Sequence, residues 1–301
     1  MTFSYKKILG VSTLVLTLGL TGYNQANQNN ASAQPASTIN SNAPSQAQAT
    51  EKLNEAAKTG AAITADGFVS TLPDTAPTYK VITTGTMAPF SFSDAKGNLM
   101  GFDIDAMRAI GEAGGFKVAF YKTEFKNMFP TIASGKYDIA ASGISYTEER
   151  KGLYNLSDSY FFNPSAIMYK NTSQPVKTLA ELKNMKVAGM DGSKQVEQVK
   201  AATGATNVDI YPTTYLLFQA LVQDKEQAIV QDEPFLRYTA KNFPDQKVTI
   251  VAYEGQNEPS AQQVVIMRKG NDALTAKVNQ GIATIKANGK LQQLEDKWFG
   301  K

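Results

Sequence analysis

From Tyr79 onward, the apolar positions of this chain switch between two periods. Lys80-Val81-Ile82-Thr83 predicts a strand, and Gly101-Phe102-Asp103-Ile104-Asp105 opens a helix on which Met107, Ile110 and Ala113 keep helical spacing. Gly114-Gly115 stops that helix, and Asp103 and Asp105 fall where carboxylates cap a helix N-terminus. Phe116-Lys117-Val118-Ala119-Phe120 alternates as a strand. Phe125, Met128, Phe129 and Ile132 form the stripe of a second helix, and a turn at 134–138 leads into a strand at Ile139. This strand–helix alternation predicts an α/β layer with a largely parallel sheet. Ligands of such sheets bind at the carboxyl ends of strands, and residues 84–90, 124–125 and 142–145 all follow strand ends.

A second α/β unit follows. Residues 165–169 read as extended, 179–182 as a short helix and 185–190 as a strand running into Asp191-Gly192-Ser193-Lys194. Helices are expected at 195–202 and 215–223, then a strand at 228–232 that ends on an acid. Residues 262–267 are again extended, and two helices, 272–288 and 289–298, come last.

The N-terminal part reads differently. Lys6 and Lys7 precede a 13-residue apolar run, 8–20, too short to span a bilayer comfortably. Residues 1–23 are therefore expected to be a secretory signal or a retained anchor, the chain's own link to a membrane. Leu20-Thr21-Gly22 looks like the lead-in to a lipoprotein cleavage box, but Tyr23 stands where its cysteine would be; Ala31-Ser32-Ala33 is an alternative small-x-small site. Residues 24–50 are Asn, Gln, Ala, Ser and Pro with almost no bulky apolar side chain. They cannot bury enough surface to offset ordering entropy, so 24–77 is expected to be a flexible linker.

Composition narrows the chemistry. Length suggests about two folded domains. Cysteine and histidine are both absent from the 301 residues. That excludes a disulfide, a thiol nucleophile and a His-based triad, and no cofactor or metal is expected. A net charge of +3 with dispersed lysines does not point to nucleic acid.

The most informative segment is Asp138-Ile139-Ala140-Ala141-Ser142-Gly143-Ile144-Ser145-Tyr146-Thr147-Glu148-Glu149-Arg150. A strand-like stretch enters a small polar loop, followed by a guanidinium. Backbone N–H and C=O groups, a hydroxyl and a bidentate cation in one place suit a ligand carrying both a carboxylate and an amine. The plain alternative is a strand–turn–helix with Arg150 in solvent.

With these residues in view, about 78–300 resembles the family 3 solute-binding proteins, the polar amino-acid receptors of ABC importers. Gly101-Phe102-Asp103-Ile104-Asp105 with Ile110, Gly111 and Gly114 resembles the family signature, with Ala106 where a larger apolar residue is usual. Ser142 to Arg150 resembles its carboxylate-binding segment, Asp191-Gly192-Ser193 its second-lobe anion loop, Gln231-Asp232-Glu233-Pro234 its amine-binding segment, and Lys297-Trp298-Phe299-Gly300 its ending.

The resemblance implies a type II periplasmic-binding-protein fold: two α/β lobes joined by two crossing strands, with ligand in the cleft. Lobe 1 would take 78–165 plus 262–301 and lobe 2 would take 166–261, with crossings at 165–169 and 264–267. It also implies an extracytoplasmic, monomeric receptor delivering an amino acid to a membrane permease. Arg150 would hold the ligand carboxylate with the Ser193 and Lys194 N–H groups. Asp232 would hold the ammonium, helped by the Ser145 hydroxyl and the Gly143 carbonyl. Ser142 and Thr84 complete the loop region, and Phe125 resembles the stacking aromatic. Met87 replaces a second aromatic, and Thr84 stands where some receptors for basic amino acids use an acid. Both argue against a cationic ligand and for a polar neutral or acidic one, whose side chain Met190, Lys194 and Gln195 would face. Two other readings stay open: a cyclohexadienyl-dehydratase-like enzyme using Glu233 or Glu124 as an acid, and a sensor ectodomain.

Overall fold

A computed structural model describes residues 68–171, 174–204 and 208–300. The expected targeting segment, Tyr23 and residues 24–67 of the expected linker lie outside them. The first lobe is built from β1 (Thr78–Thr83), α1 (Phe102–Gly114), β2 (Lys117–Lys122), α2 (Phe125–Ala133), β3 (Ile139–Ala140), α3 (Glu148–Leu153) and β4 (Tyr154–Leu156). A short link, β5 (Phe161–Phe162), leads to the second lobe. There follow β6 (Ser165–Lys170), β7 (Val187–Met190), α4 (Lys194–Thr203), β8 (Asp209–Tyr211), α5 (Thr214–Val222), β9 (Ala228–Asp232), α6 (Glu233–Asn242) and β10 (Val248–Ala252). The chain returns through β11 (Gln262–Gln263) and ends in the first lobe with β12 (Ile266–Arg268), α7 (Asp272–Ala287) and α8 (Lys290–Phe299).

Each lobe has a five-stranded sheet, ordered β2-β1-β3-β12-β4 in the first and β8-β7-β9-β6-β10 in the second. The strands joined through helices pair in parallel, β1 with β2 and β3, and β7 with β8 and β9. The strands next to the crossings, β12 and β6, pair antiparallel with their neighbours. Both sheets are therefore mixed, with β12 in the first and β6 in the second running against the strands beside them.

The crossings differ from expectation. Residues 165–169 and 264–267 were expected to cross, but β6 lies within the second sheet and β12 within the first. The crossing ladder is β5 with β11, Phe161 opposite Gln263 and Phe162 opposite Gln262. The apolar runs mark buried sheet strands; the link between lobes needs only two residues and carries glutamines.

Phe161 anchors this link. Its ring lies 4.8 Å from Phe102 and 4.6 Å from Phe299, and Phe90 lies 5.6 Å from Phe299. The crossing thus rests on an aromatic cluster of the first lobe. Residues 68–74 lie along α1: the Thr71 N–H donates to Glu112 at 3.1 Å, and the Arg108 guanidinium sits 4.7 Å from the Phe68 ring centre.

Asp103 and Asp105 do not cap α1. Its N-cap is Gly101, with no side-chain cap bond. Asp105 instead accepts from Trp298 Nε1 at 2.9 Å and Lys297 Nζ at 2.7 Å, tying α8 to α1. Asp103 turns into the interior, towards Gly143.

Candidate functional site

The site forms where strand ends of the two lobes face each other. Arg150 sits on α3, whose N-terminus is set by Thr147: its hydroxyl accepts from the Arg150 N–H at 3.1 Å. The cap turns the side chain inward, and the residue is 7% exposed. Its Nη1 donates to the Ser145 carbonyl at 2.7 Å, and its Nη2 reaches the Gly192 carbonyl of the other lobe at 3.3 Å. The guanidinium lies 4.8 Å from the Phe129 ring centre and 5.9 Å from that of Phe125. Burial lowers its pKa to about 10, partly opposed by Asp232, so it stays cationic at neutral pH.

Asp232 ends β9 on the opposite lobe and is 2% exposed. Gln195 Nε2 donates to its Oδ1 at 2.7 Å and to Ser165 Oγ at 3.0 Å. Burial pushes the Asp232 pKa up to about 7, against the pull of Lys194. Its Oδ2 faces Gly143, whose φ of +60° favours glycine. A Cβ there would stand 3.3 Å from Oδ2 and 3.0 Å from Met87 Cε.

Met87, Phe125, Gly143, Ser145, Arg150, Ser193, Lys194 and Asp232 line one cavity, together with Met190, Gln195 and Gln231. Ser142 and Thr84 do not line it; their hydroxyls pair at 2.8 Å behind it and join the ends of β1 and β3. Gln231, named from the sequence as part of the amine-binding segment but given no role of its own, also lines the cavity. Its Oε1 accepts from the Asp232 N–H at 2.9 Å, and its Nε2 meets Met190 Sδ at 3.8 Å.

The anion loop departs from expectation in one detail. The Ser193 N–H bonds the Met190 carbonyl at 3.0 Å, closing the turn before α4, so it is not free for a ligand. What Ser193 offers is its hydroxyl, buried and without a partner among the described residues. The first N–H groups of α4 beside it have no acceptor within the helix. The Lys194 amine is also committed: it meets Glu254 Oε1 at 2.8 Å and Oε2 at 2.7 Å, an ion pair held further by Gln198 and Ser260.

The lobes are drawn together. Lys126 of α2 pairs with Asp191 at 2.7 Å, and the Thr214 hydroxyl donates to the Thr86 carbonyl at 3.0 Å. The cavity between them holds about 10 Å³, room for about one water. Capture of anything larger requires the lobes to part. Arg150, Ser193 and Lys194 also wall a groove of about 660 Å³ between α3 and α4.

The model of the family described as bacterial extracellular solute-binding proteins, family 3, matches residues 79–301. A probable amino-acid ABC transporter-binding protein of Haemophilus influenzae is 29% identical over 223 residues, covering 74% of this chain and 85% of that protein. An ancestral arginine-binding protein, solved bound to glutamine, superposes with a TM-score of 0.69 at 34% identity, covering 74% of this chain and 98% of the other. An ancestral amino acid-binding protein, a precursor of cyclohexadienyl dehydratase, gives a TM-score of 0.67 at 28% identity, covering 82% of this chain and 99% of the other.

Proposed function

The chain belongs to the bacterial extracellular solute-binding proteins of family 3, and we propose that it holds a neutral polar amino acid with Arg150 at the carboxylate and Asp232 at the ammonium. The chain is an extracytoplasmic receptor that binds an amino acid in the inter-lobe cleft for delivery to an ABC importer. The observation that carries the reading is a pair of opposite charges, both nearly fully buried, on opposite lobes of one cavity. A zwitterion satisfies both at once and spans the lobes, so it favours closure around itself, with the lobes further apart than the present cavity of about 10 Å³ leaves them, through contacts that the open arrangement lacks. The unpartnered Ser193 hydroxyl adds a third donor for the carboxylate.

The lining argues for the ligand class. Its one carboxylate is Asp232, which the ammonium takes, so a basic side chain has no partner. Its second cation, Lys194, already pairs with Glu254, so an acidic side chain gains little. Gln231 Nε2, whose neighbour is a thioether sulfur at 3.8 Å, is free to bond a neutral amide or hydroxyl. The two acids named for the enzyme reading stand outside the cavity: Glu233 pairs with Arg237 at 2.7 Å, Glu124 is exposed, and neither lines it. The receptor is proposed to work as a monomer, exported through its N-terminal segment.

The test is thermal unfolding of purified protein, denatured and refolded to strip ligand, against all twenty amino acids. A ligand at 100 times its Kd stabilises by about 2.7 kcal/mol, a rise of several degrees. A rise with glutamine-like amino acids is expected. A rise confined to arginine and lysine would overturn the ligand class, and none with any amino acid would overturn the receptor.

A further inference from the structure

Asp103 is fully buried, and no cation pairs with it among the described residues. A carboxylate in such a place is costly unless hydrogen bonds replace its water. Here three do. Its Oδ2 accepts from the Gly143 N–H at 2.6 Å. Its Oδ1 accepts from the Tyr160 hydroxyl at 2.7 Å and from Gln263 Nε2 at 2.6 Å. The last two also touch each other, at 2.7 Å.

The partners come from three places. Gly143 belongs to the binding loop and faces Asp232. Tyr160 immediately precedes β5, and Gln263 lies on β11, so both sit on the crossings. The backbone follows the same connection: the Tyr146 N–H donates to the Gln262 carbonyl at 2.8 Å, and the Val264 N–H to the Ile144 carbonyl at 2.8 Å. The loop that receives the ligand is thus bonded directly to the strand that carries the second lobe back to the first.

We propose that Asp103 is a positioning residue for ligand capture: its carboxylate clamps the Gly143 loop to both crossing strands, so that lobe closure delivers Asp232 against a loop already in receiving shape. This rests on the receptor reading above. All three contacts to the carboxylate are donated, and it meets them with its two oxygens. A neutral amide of the same size has one oxygen for them, and its NH2 side finds a partner when Gln263 turns over to offer Oε1, which has none among the described residues. An apolar side chain leaves the Gly143 donor and the crossing pair without their acceptor and loosens both ends, with the ligand contacts themselves untouched.

The test uses the full chain, with affinity for the amino acid that most raises its thermal midpoint measured by calorimetry and folding checked by thermal unfolding. Asp103→Leu is expected to weaken binding at least about ten-fold, the scale of leaving a buried donor unpaired. Asp103→Asn combined with Gln263→Glu exchanges donor and acceptor across the same contact. The introduced amide then accepts from Gly143 and donates to the new carboxylate, which also accepts from Tyr160. This double variant should keep most of the wild-type affinity. Unchanged binding in Asp103→Leu would overturn the proposal. So would a double variant as weak as Asp103→Leu, because the restored hydrogen bonds would then not restore capture. Should Asp103→Leu fail to fold, Tyr160→Phe decides: it removes one donor and should weaken binding about five-fold, and undiminished affinity counts against the clamp. A wild-type protein that binds no amino acid is a separate result, which overturns the receptor reading and this proposal with it.

Discussion

Acidification should release the ligand, and Asp232 sets the scale. Burial holds this carboxyl at about 7 before the ligand arrives. The ligand ammonium favours its ionised form, so binding expels a proton. Affinity should therefore rise with pH through 7 and fall below it. Ionised Asp232 is roughly 0.9 of the population at pH 8 and roughly 0.01 at pH 5, a loss of about 90-fold or about 2.7 kcal/mol. Free amino acids stay zwitterionic over this range, so the slope belongs to the protein. Calorimetry from pH 8 to 5 measures it. Repeating the titration at pH 7 in two buffers of different ionisation enthalpy should show about half a proton released per ligand. Asp232→Asn should bind weakly and remove most of the slope; what remains belongs to Asp103, also raised to about 7 by burial. An affinity flat within about two-fold, with no proton released, would show that Asp232 does not meet the ammonium. For folding of the ligand-free protein the sign reverses. Both carboxyls sit above their unfolded values, so between about pH 4 and 7 the native state binds more protons than the unfolded chain. Stability from these two groups falls as pH rises through that window, and the thermal midpoint should be higher at pH 5.5 than at 7.5.

Arg150→Ala should abolish measurable binding while the thermal midpoint of the ligand-free protein shifts only modestly, because it leaves the ligand carboxylate unpaired in a buried site, a cost of about 2–5 kcal/mol; unchanged affinity would remove the central assignment. Lys194→Met strands Glu254 without its ion-pair partner and should cost about 3–5 kcal/mol in urea unfolding, with under about 1 kcal/mol contradicting a buried pair. Met87→Phe adds a second aromatic face to the cavity and should move the ligand ranking towards cations; an unaltered ranking would show that Met87 does not contact the ligand side chain.

Much of the fold was legible because its signals are local. The stripe Phe125, Met128, Phe129 and Ile132 predicted α2, and Gly114-Gly115 marked the end of α1, where Gly115 adopts φ 74°. Other elements escaped. α6 begins in Glu233-Pro234, where the motif drew attention to chemistry rather than to a helix, and β10 carries side chains that are mostly half-buried, giving no clean alternation. The crossing was misplaced for a related reason: two residues, Gln262 and Gln263, are too few to make a pattern.

The site divides in the same way. Its charged residues stood out because each ends a strand or opens a helix in a segment with its own character, and Arg150, Asp232, Ser193 and Gly143 meet in one cavity. Which atoms of those residues are free was decided by tertiary structure alone. The Ser193 amide is taken by Met190, the Lys194 amine by Glu254, and the Ser142 and Thr84 hydroxyls by each other. Asp103 read as a helix cap because the sequence shows only its neighbours along the chain; its real partners lie 40, 57 and 160 residues away. Periodicity and motif report what a residue does to its own segment. Hydrogen-bond commitments are made across the fold, between groups that only packing brings within 3 Å.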